Sequence, residues 1–198
     1  MGTPSINMFL GSPDFLRAVV SETVRNSASA ETVAAELTEE QLNWKPSADR
    51  WSIAQCLEHL SFATNSFEKY FEAALTRGRA RAAAGGSAGY KPTIMGGWLA
   101  KHVSPESARK LSAPKILRPA ASSNIRGSLE MFLQQQDRFL EFVRRSEGID
   151  YNKTRLRSPV TPLVRYSLAD AFVITVLHGQ RHLAQAQHVR EMTEFPRT

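Results

Sequence analysis

Two histidines four residues apart, His178 and His182 in the segment HGQRH, carry the strongest chemical signal in the chain. On a helix, at about 100° per residue, that spacing puts both imidazoles on one face, a turn apart. They share the face with Leu168, Ala171, Phe172, Thr175, Ala186 and Val189, so the rings are expected to point inward. Gly179 lies on the same face and would leave room beside them, at about 1 kcal/mol of helix propensity relative to alanine. A third histidine, His59, sits on an earlier helix at the flank of a stripe containing Cys56, Leu60 and Ala63, from which it could reach the other two. Neutral imidazoles turned into a core need partners, and the helix of His178 and His182 offers few nearby. Either a divalent metal or hydrogen bonds within the core would satisfy them. No glutamate stands between the pair, which excludes the HExxH zinc-protease arrangement.

The remaining candidates read as structural. Cys56, three residues before His59, is expected to be a buried, inert thiol. As the sole cysteine it excludes an internal disulfide and suits a reducing compartment. His102 in WLAKHV reads as a surface residue, and His188, six positions after His182, as surface or interface. Arg181 adjoins His182 but projects about 100° away from it. Trp44 and Trp51 read as packing anchors around a turn.

Four long helical stretches must position these residues. The first opens with Ser12 as N-cap and Pro13 at the first helical position and runs to about Ser27, with a short piece from Ser29 to Leu37 after it. The second starts at Ser52, carries apolar residues at steps of three and four from Ile53 to Ala74, and stops at Gly78. The third spans Ser123 to Glu147 with Gly148 as its end. The fourth is capped by Ser167, has Asp170 in its first turn, and runs to about Met192. The one segment with β character, Arg155 to Tyr166, is broken by Pro159 and Pro162. Four amphipathic helices without a sheet pack as an all-α four-helix bundle, and 198 residues suit a single domain, 1–198.

The net charge of +6 belongs to one place. Residues 77–118 hold nine basic side chains and one acid, whereas the rest of the chain is slightly acidic. With RARAAAGGSAGYKP inside it, the 77–122 stretch reads as a long basic loop between the second and third helices, solvated or able to bind an anion, with Trp98 and Leu99 as its anchor. Its few aromatics argue against a nucleic-acid surface. No apolar run approaches the roughly 20 residues of a membrane helix, and no basic-then-apolar leader is visible, so a cytoplasmic protein is expected. On the fourth helix Val173, Val176 and Leu177 project off the stripe that bears the histidines, which predicts a homodimer through that face.

The segment LTEEQLNWKPSADRWSIAQCLEHL, followed much later by PLVRYSLADAFVITVLHGQRHLAQAQHV, resembles the DinB/YfiT-like family of bacterial metalloproteins. The shared features are the turn with Trp44 and Pro46, the Trp51-Ser52 helix start, the EHL that places His59, and HxxxH at His178 and His182 followed by Leu183, Gln185 and Gln187. The resemblance implies an up-down-down-up bundle, often dimeric, with one divalent metal on His59, His178 and His182. Zinc or nickel comes first, with iron, manganese and copper left open. Three imidazoles and no carboxylate would leave a coordination position free, as in catalytic sites. By family association thiol-dependent transfer or isomerisation with a low-molecular-weight bacterial thiol comes first, and metal-dependent hydrolysis is an alternative. A non-catalytic metal- or ligand-binding stress protein is the other. Two departures are the length of the 77–122 stretch, which could cover the site, and the absence of an acid from Gly179-Gln180-Arg181.

Overall fold

Three helices begin where a serine or threonine exchanges hydrogen bonds with a side chain three residues on: Thr38 with Gln41, Ser52 with Gln55, and Ser167 with Asp170. In the computed structural model, which describes residues 5–81, 89–107, 114–119, 125–161 and 163–197, the helices are α1 (Phe15–Ala34), α2 (Glu39–Asn43), α3 (Ile53–Ala80), α4 (Ile94–Val103), α5 (Ser128–Arg144) and α6 (Leu168–Arg190). Two strands, β1 (Arg155–Arg157) and β2 (Arg165–Ser167), form a short antiparallel hairpin with Leu156 opposite Tyr166.

Several boundaries differ from expectation for physical reasons. The first helix starts at Phe15 behind Asp14, not at Ser12, and no side chain caps it. It then runs unbroken through Ser27 and Ser29. Thr23, Ser27 and Thr32 return their hydroxyls to carbonyls four residues back and so stay within the helix. Gly78 does not stop α3. A Cβ there would lie 2.5 Å from Cγ2 of Ile149, so the glycine serves close packing. Pro159 lies between the strands and bounds the hairpin rather than breaking it. Ser123 and Pro162 lie outside the described residues.

The bundle consists of α1, α3, α5 and α6. Each of α1 and α3 packs against both α5 and α6. Two groups of core side chains give the directions. One end gathers Phe15, Phe71, Phe139 and Phe172; the other gathers Ala30, Ile53, Phe132 and Leu183. Helices α1 and α6 therefore run from the first end to the second, and α3 and α5 run back. The ion pairs Glu68–Arg138 and Glu72–Arg145 advance together along α3 and α5, as parallel neighbours require. The order is up, down, down, up, and two parallel neighbours demand the long connection between α3 and α5.

That connection is not only a solvated loop. It contains α4, which packs on α6 with Ala100 fully buried and Leu99 partly so. Trp98, expected as an anchor, is 47% exposed. With α4 on one side and the bundle on the other, α6 is enclosed along its first half. Val173, Val176 and Leu177 are 0%, 1% and 0% exposed, so the face expected to bind a second chain is filled from within. No described helix is long and apolar enough to cross a membrane.

Candidate metal centre

His59, His178 and His182 meet between the two ends of the core. His59 follows the buried Leu57 on α3, while the other two lie a turn apart on the antiparallel α6. Their ring centroids are 5.0, 4.7 and 4.7 Å apart, and one nitrogen from each lies within 4.8 Å of the others. His59 Nε2 is 3.2 Å from His178 Nε2. Two nitrogens held on one tetrahedral ion at about 2.0–2.1 Å would be separated by about 3.3 Å.

The outer nitrogens decide what the inner ones can do. His59 Nδ1 lies 2.6 Å from the carbonyl oxygen of Leu117, which can only accept, so Nδ1 carries the proton and Nε2 presents a lone pair. His182 Nδ1 lies 3.0 Å from Oε1 of Gln185 and donates to it, freeing its own Nε2. Trp51 stacks over His182 at 5.4 Å and 27°, and lies 4.8 Å from His59, closing one side of the cluster. His59 is buried and His178 and His182 are half-buried, and the desolvation this brings favours the neutral form of all three rings. Desolvation depresses His59, drives His178 well below the ordinary 6.5, and takes His182 to about 3, with neighbouring imidazoles adding to the last two. Neutral imidazoles, two of them with fixed tautomers, suit a divalent cation.

The supporting residues were only partly legible. Leu117 belongs to a 3-10 turn, Lys115–Leu117, in the stretch expected to be loop. A backbone carbonyl has no signature in residue type, so nothing could have marked it. Trp51 does more than anchor a turn, and Gln185 stands three residues after His182, within reach on a helix.

Other expectations resolve plainly. Cys56 is fully buried, and burial pushes its thiol up to about 12, so it is inert. His188 is exposed. His102 stacks on Trp98 at 4.0 Å, on α4 and outside the cluster. Arg181 donates to the carbonyls of Ser104 and Ser107 at 2.9 and 3.0 Å, fastening the end of α4 to α6, and its charge helps depress His178 and His182. The space at Gly179 belongs not to the imidazoles but to Asn26. A Cβ would lie 2.5 Å from Asn26 Nδ2, which donates to the carbonyl of Val176.

A solved structure matches the chain in fold. YfiT from Bacillus subtilis, described as "a probable metal-dependent hydrolase with an unusual four-helix bundle topology", superposes with a TM-score of 0.56 at 17% identity, over 96% of this chain and 91% of that one. No curated protein matches the chain. The profile of the DinB superfamily matches residues 22–186, a span that includes all three histidines. The chain belongs to the DinB superfamily.

Proposed function

We propose that the chain is a metal-dependent enzyme that holds one divalent ion through Nε2 of His59, His178 and His182, and that it hydrolyses a small-molecule substrate. The observation that carries this is the pair of Nε2 atoms 3.2 Å apart in a desolvated cluster, with the outer nitrogen of His59 committed as a donor. Without an ion a neutral His178 can donate its Nε2–H to the His59 Nε2 lone pair, and a divalent ion would take the place of that proton between the two nitrogens. A divalent ion held by these three imidazoles would supply a Lewis acid, and zinc would bring the pKa of a water toward about 7.

The chain's own residues do the rest. Leu117 and Gln185 fix two tautomers and ring orientations, and Trp51 screens one side from solvent. No carboxylate joins the three imidazoles among the described residues, so a position stays open for substrate or water. Zinc and nickel are the first choices for such ligands, with iron, manganese and copper also able to take imidazole. Hydrolysis is preferred because the protein it resembles in fold carries that description. Transfer to a low-molecular-weight thiol would use the same open position, with a thiolate in place of water.

Metal content and turnover test the reading together. Wild type dialysed against zinc or nickel should retain about one ion per chain, and His178→Ala should retain almost none while keeping its helical circular dichroism. Metal-loaded protein should then cleave activated esters or amides without added thiol. Turnover only when a thiol and an electrophile are supplied moves the function to transfer. Failure of the wild type to retain any ion overturns the metal reading.

A further inference from the structure

The β1–β2 hairpin carries an arrangement of charge that works against its own stability. Its inner face buries Leu156 and Tyr166, and alternation turns Arg155, Arg157 and Arg165 outward, all three exposed. Arg157 stands directly opposite Arg165. Backbone hydrogen bonds from Ser158 to Val164 and from Leu168 to Thr154 mark the hydrogen-bonded pairs of the ladder. By alternation the arginine pair falls at a position without such bonds, where facing side chains come closest. Like charges so placed destabilise a hairpin. None of the three arginines makes an ion pair among the described residues, and Asp150, the acid just before β1, is paired with Lys153.

The neighbouring elements extend the pattern. β1 packs against α3 and β2 against α4, and α4 starts beside the end of β2, where Thr93 and Ser167 share the Asp170 carboxylate. Residues 89–103 and 155–167 together hold five lysines and arginines and no acid. From these same two segments project the most exposed large apolar side chains of the described residues, Ile94 at 92% on the first turn of α4 and Leu163 at 93% in the turn between the strands. Trp98, one helical turn after Ile94, is half exposed on the same face of α4. Single exposed apolar residues are ordinary; aliphatic side chains projecting from both elements of an acid-free cationic surface are not.

We propose that the hairpin and the outer face of α4 form a docking surface for an anionic lipid bilayer, on which the protein sits peripherally. The arginines meet headgroup phosphates, which also relieves the repulsion between Arg157 and Arg165. Leu163, Ile94 and Trp98 enter the boundary between headgroups and acyl chains, where aliphatic side chains and an indole are favoured. Nucleic acid would use the charge and leave Ile94 and Leu163 in water. A second copy of this face would bring like charges together. A bilayer supplies negative charge and a deformable apolar layer at once. The proposal is independent of the metal reading.

The test uses the full chain with vesicles of phosphatidylcholine alone and of an equimolar mixture with phosphatidylglycerol. The chain should sediment with the mixed vesicles at low salt, be released as salt rises, and stay in solution with phosphatidylcholine alone. Its tryptophan emission should move to shorter wavelength on the mixed vesicles, and Trp98→Phe should abolish that shift. Arg157→Glu combined with Arg165→Glu should weaken vesicle binding about tenfold or more. Ile94→Ser combined with Leu163→Ser should do the same by removing the inserted side chains. All four positions are exposed, so both variants should keep the wild-type circular dichroism. No sedimentation with the mixed vesicles, undiminished binding by the variant lacking Ile94 and Leu163, or an emission shift that survives Trp98→Phe overturns the proposal. So does a wild type that dimerises and becomes monomeric in that apolar variant, which makes the face a contact between copies. Retention of a nucleic-acid duplex, lost in the arginine variant and without vesicle binding, overturns it in favour of nucleic acid.

Discussion

Helix α6 carries two polar clusters, a fully buried one at its start around Asp170 and a half-buried one past its middle around His178 and His182, and they are built on opposite principles. The Asp170 carboxylate, fully buried, accepts the hydroxyls of Tyr90, Thr93 and Ser167 at 2.8 Å each, together with the backbone N–H groups of Thr93 and Ser167. It caps its own helix and binds the start of α4 to it; Gly96 is needed there because a Cβ would lie 2.1 Å from the Asp170 Cγ. Every donor around that carboxylate has an acceptor. At the histidines the outer nitrogens of His59 and His182 are satisfied, which turns their Nε2 lone pairs inward, where His59 Nε2 lies 3.2 Å from His178 Nε2. A polar cluster that closes on itself holds the fold, and one that leaves convergent lone pairs is built for something else.

The sharpest way to break this contrast is at the closed cluster. Asp170→Ala would strand the hydroxyls of Tyr90, Ser167 and Thr93, the first two buried, and release α4, and should destabilise the protein by about 4 kcal/mol, several unsatisfied groups at about 1–3 kcal/mol each. Urea denaturation of the metal-free protein measures it. A loss below about 1 kcal/mol would mean the network is not what fastens α4 to the bundle.

At the open cluster the corresponding change acts on the ion rather than on the fold. Gln185→Leu removes the acceptor of His182 Nδ1–H, so the ring loses its fixed orientation. Zinc affinity should fall about 10–100-fold, while the metal-free melting temperature stays close to wild type. Competition with a chromophoric chelator would show it. An unchanged affinity together with a lowered melting temperature would make Gln185 a packing residue.

The two clusters were unequally legible. Asp170 was readable as a first-turn acid, but not as the tether of a second helix, because Tyr90 and Thr93 lie about 80 residues away in a stretch whose glycine and charge suggested solvent. The imidazole pair was readable because a spacing of four fixes relative direction on a helix. His59 needed either the family resemblance or the fold, since spacing within one helix says nothing about reach from another. The same limit explains Val173, Val176 and Leu177. A helix covered on nearly every side shows no single stripe, and the cover here, α4, had not been recognised as a helix.

Acid should separate the clusters next. In the metal-free protein His178 and His182 are held below their ordinary 6.5, His182 at about 3, mainly by desolvation. The unfolded chain therefore takes up protons near pH 6.5 that the folded chain refuses, and stability falls as pH drops below that value. For His182 the loss continues toward pH 3. The slope is up to about 1.4 kcal/mol per pH unit for each such group. Urea midpoints between pH 7.5 and 5 should fall more steeply for metal-free wild type than for His178→Ala. Parallel slopes would mean that His178 titrates normally.

The smallest effect is expected on the outer side of α4, and it probes what holds the cover over α6. Residue type suggested Trp98 and Leu99, and the helix turns Leu99 inward together with Ala100 but leaves Trp98 47% exposed against His102. Shape decides this. Gly96 and Ala100, four residues apart, let α4 approach α6 closely enough for Thr93 and Tyr90 to reach Asp170, and an indole on that face would hold the helices apart. Trp98→Ala should therefore change stability by no more than about 0.5 kcal/mol, as at an ordinary surface position. Ala100→Leu should cost about 1–3 kcal/mol by overpacking, although it adds apolar surface. If the order is reversed, α4 is held by its tryptophan and not by the small residues and polar tether beneath it.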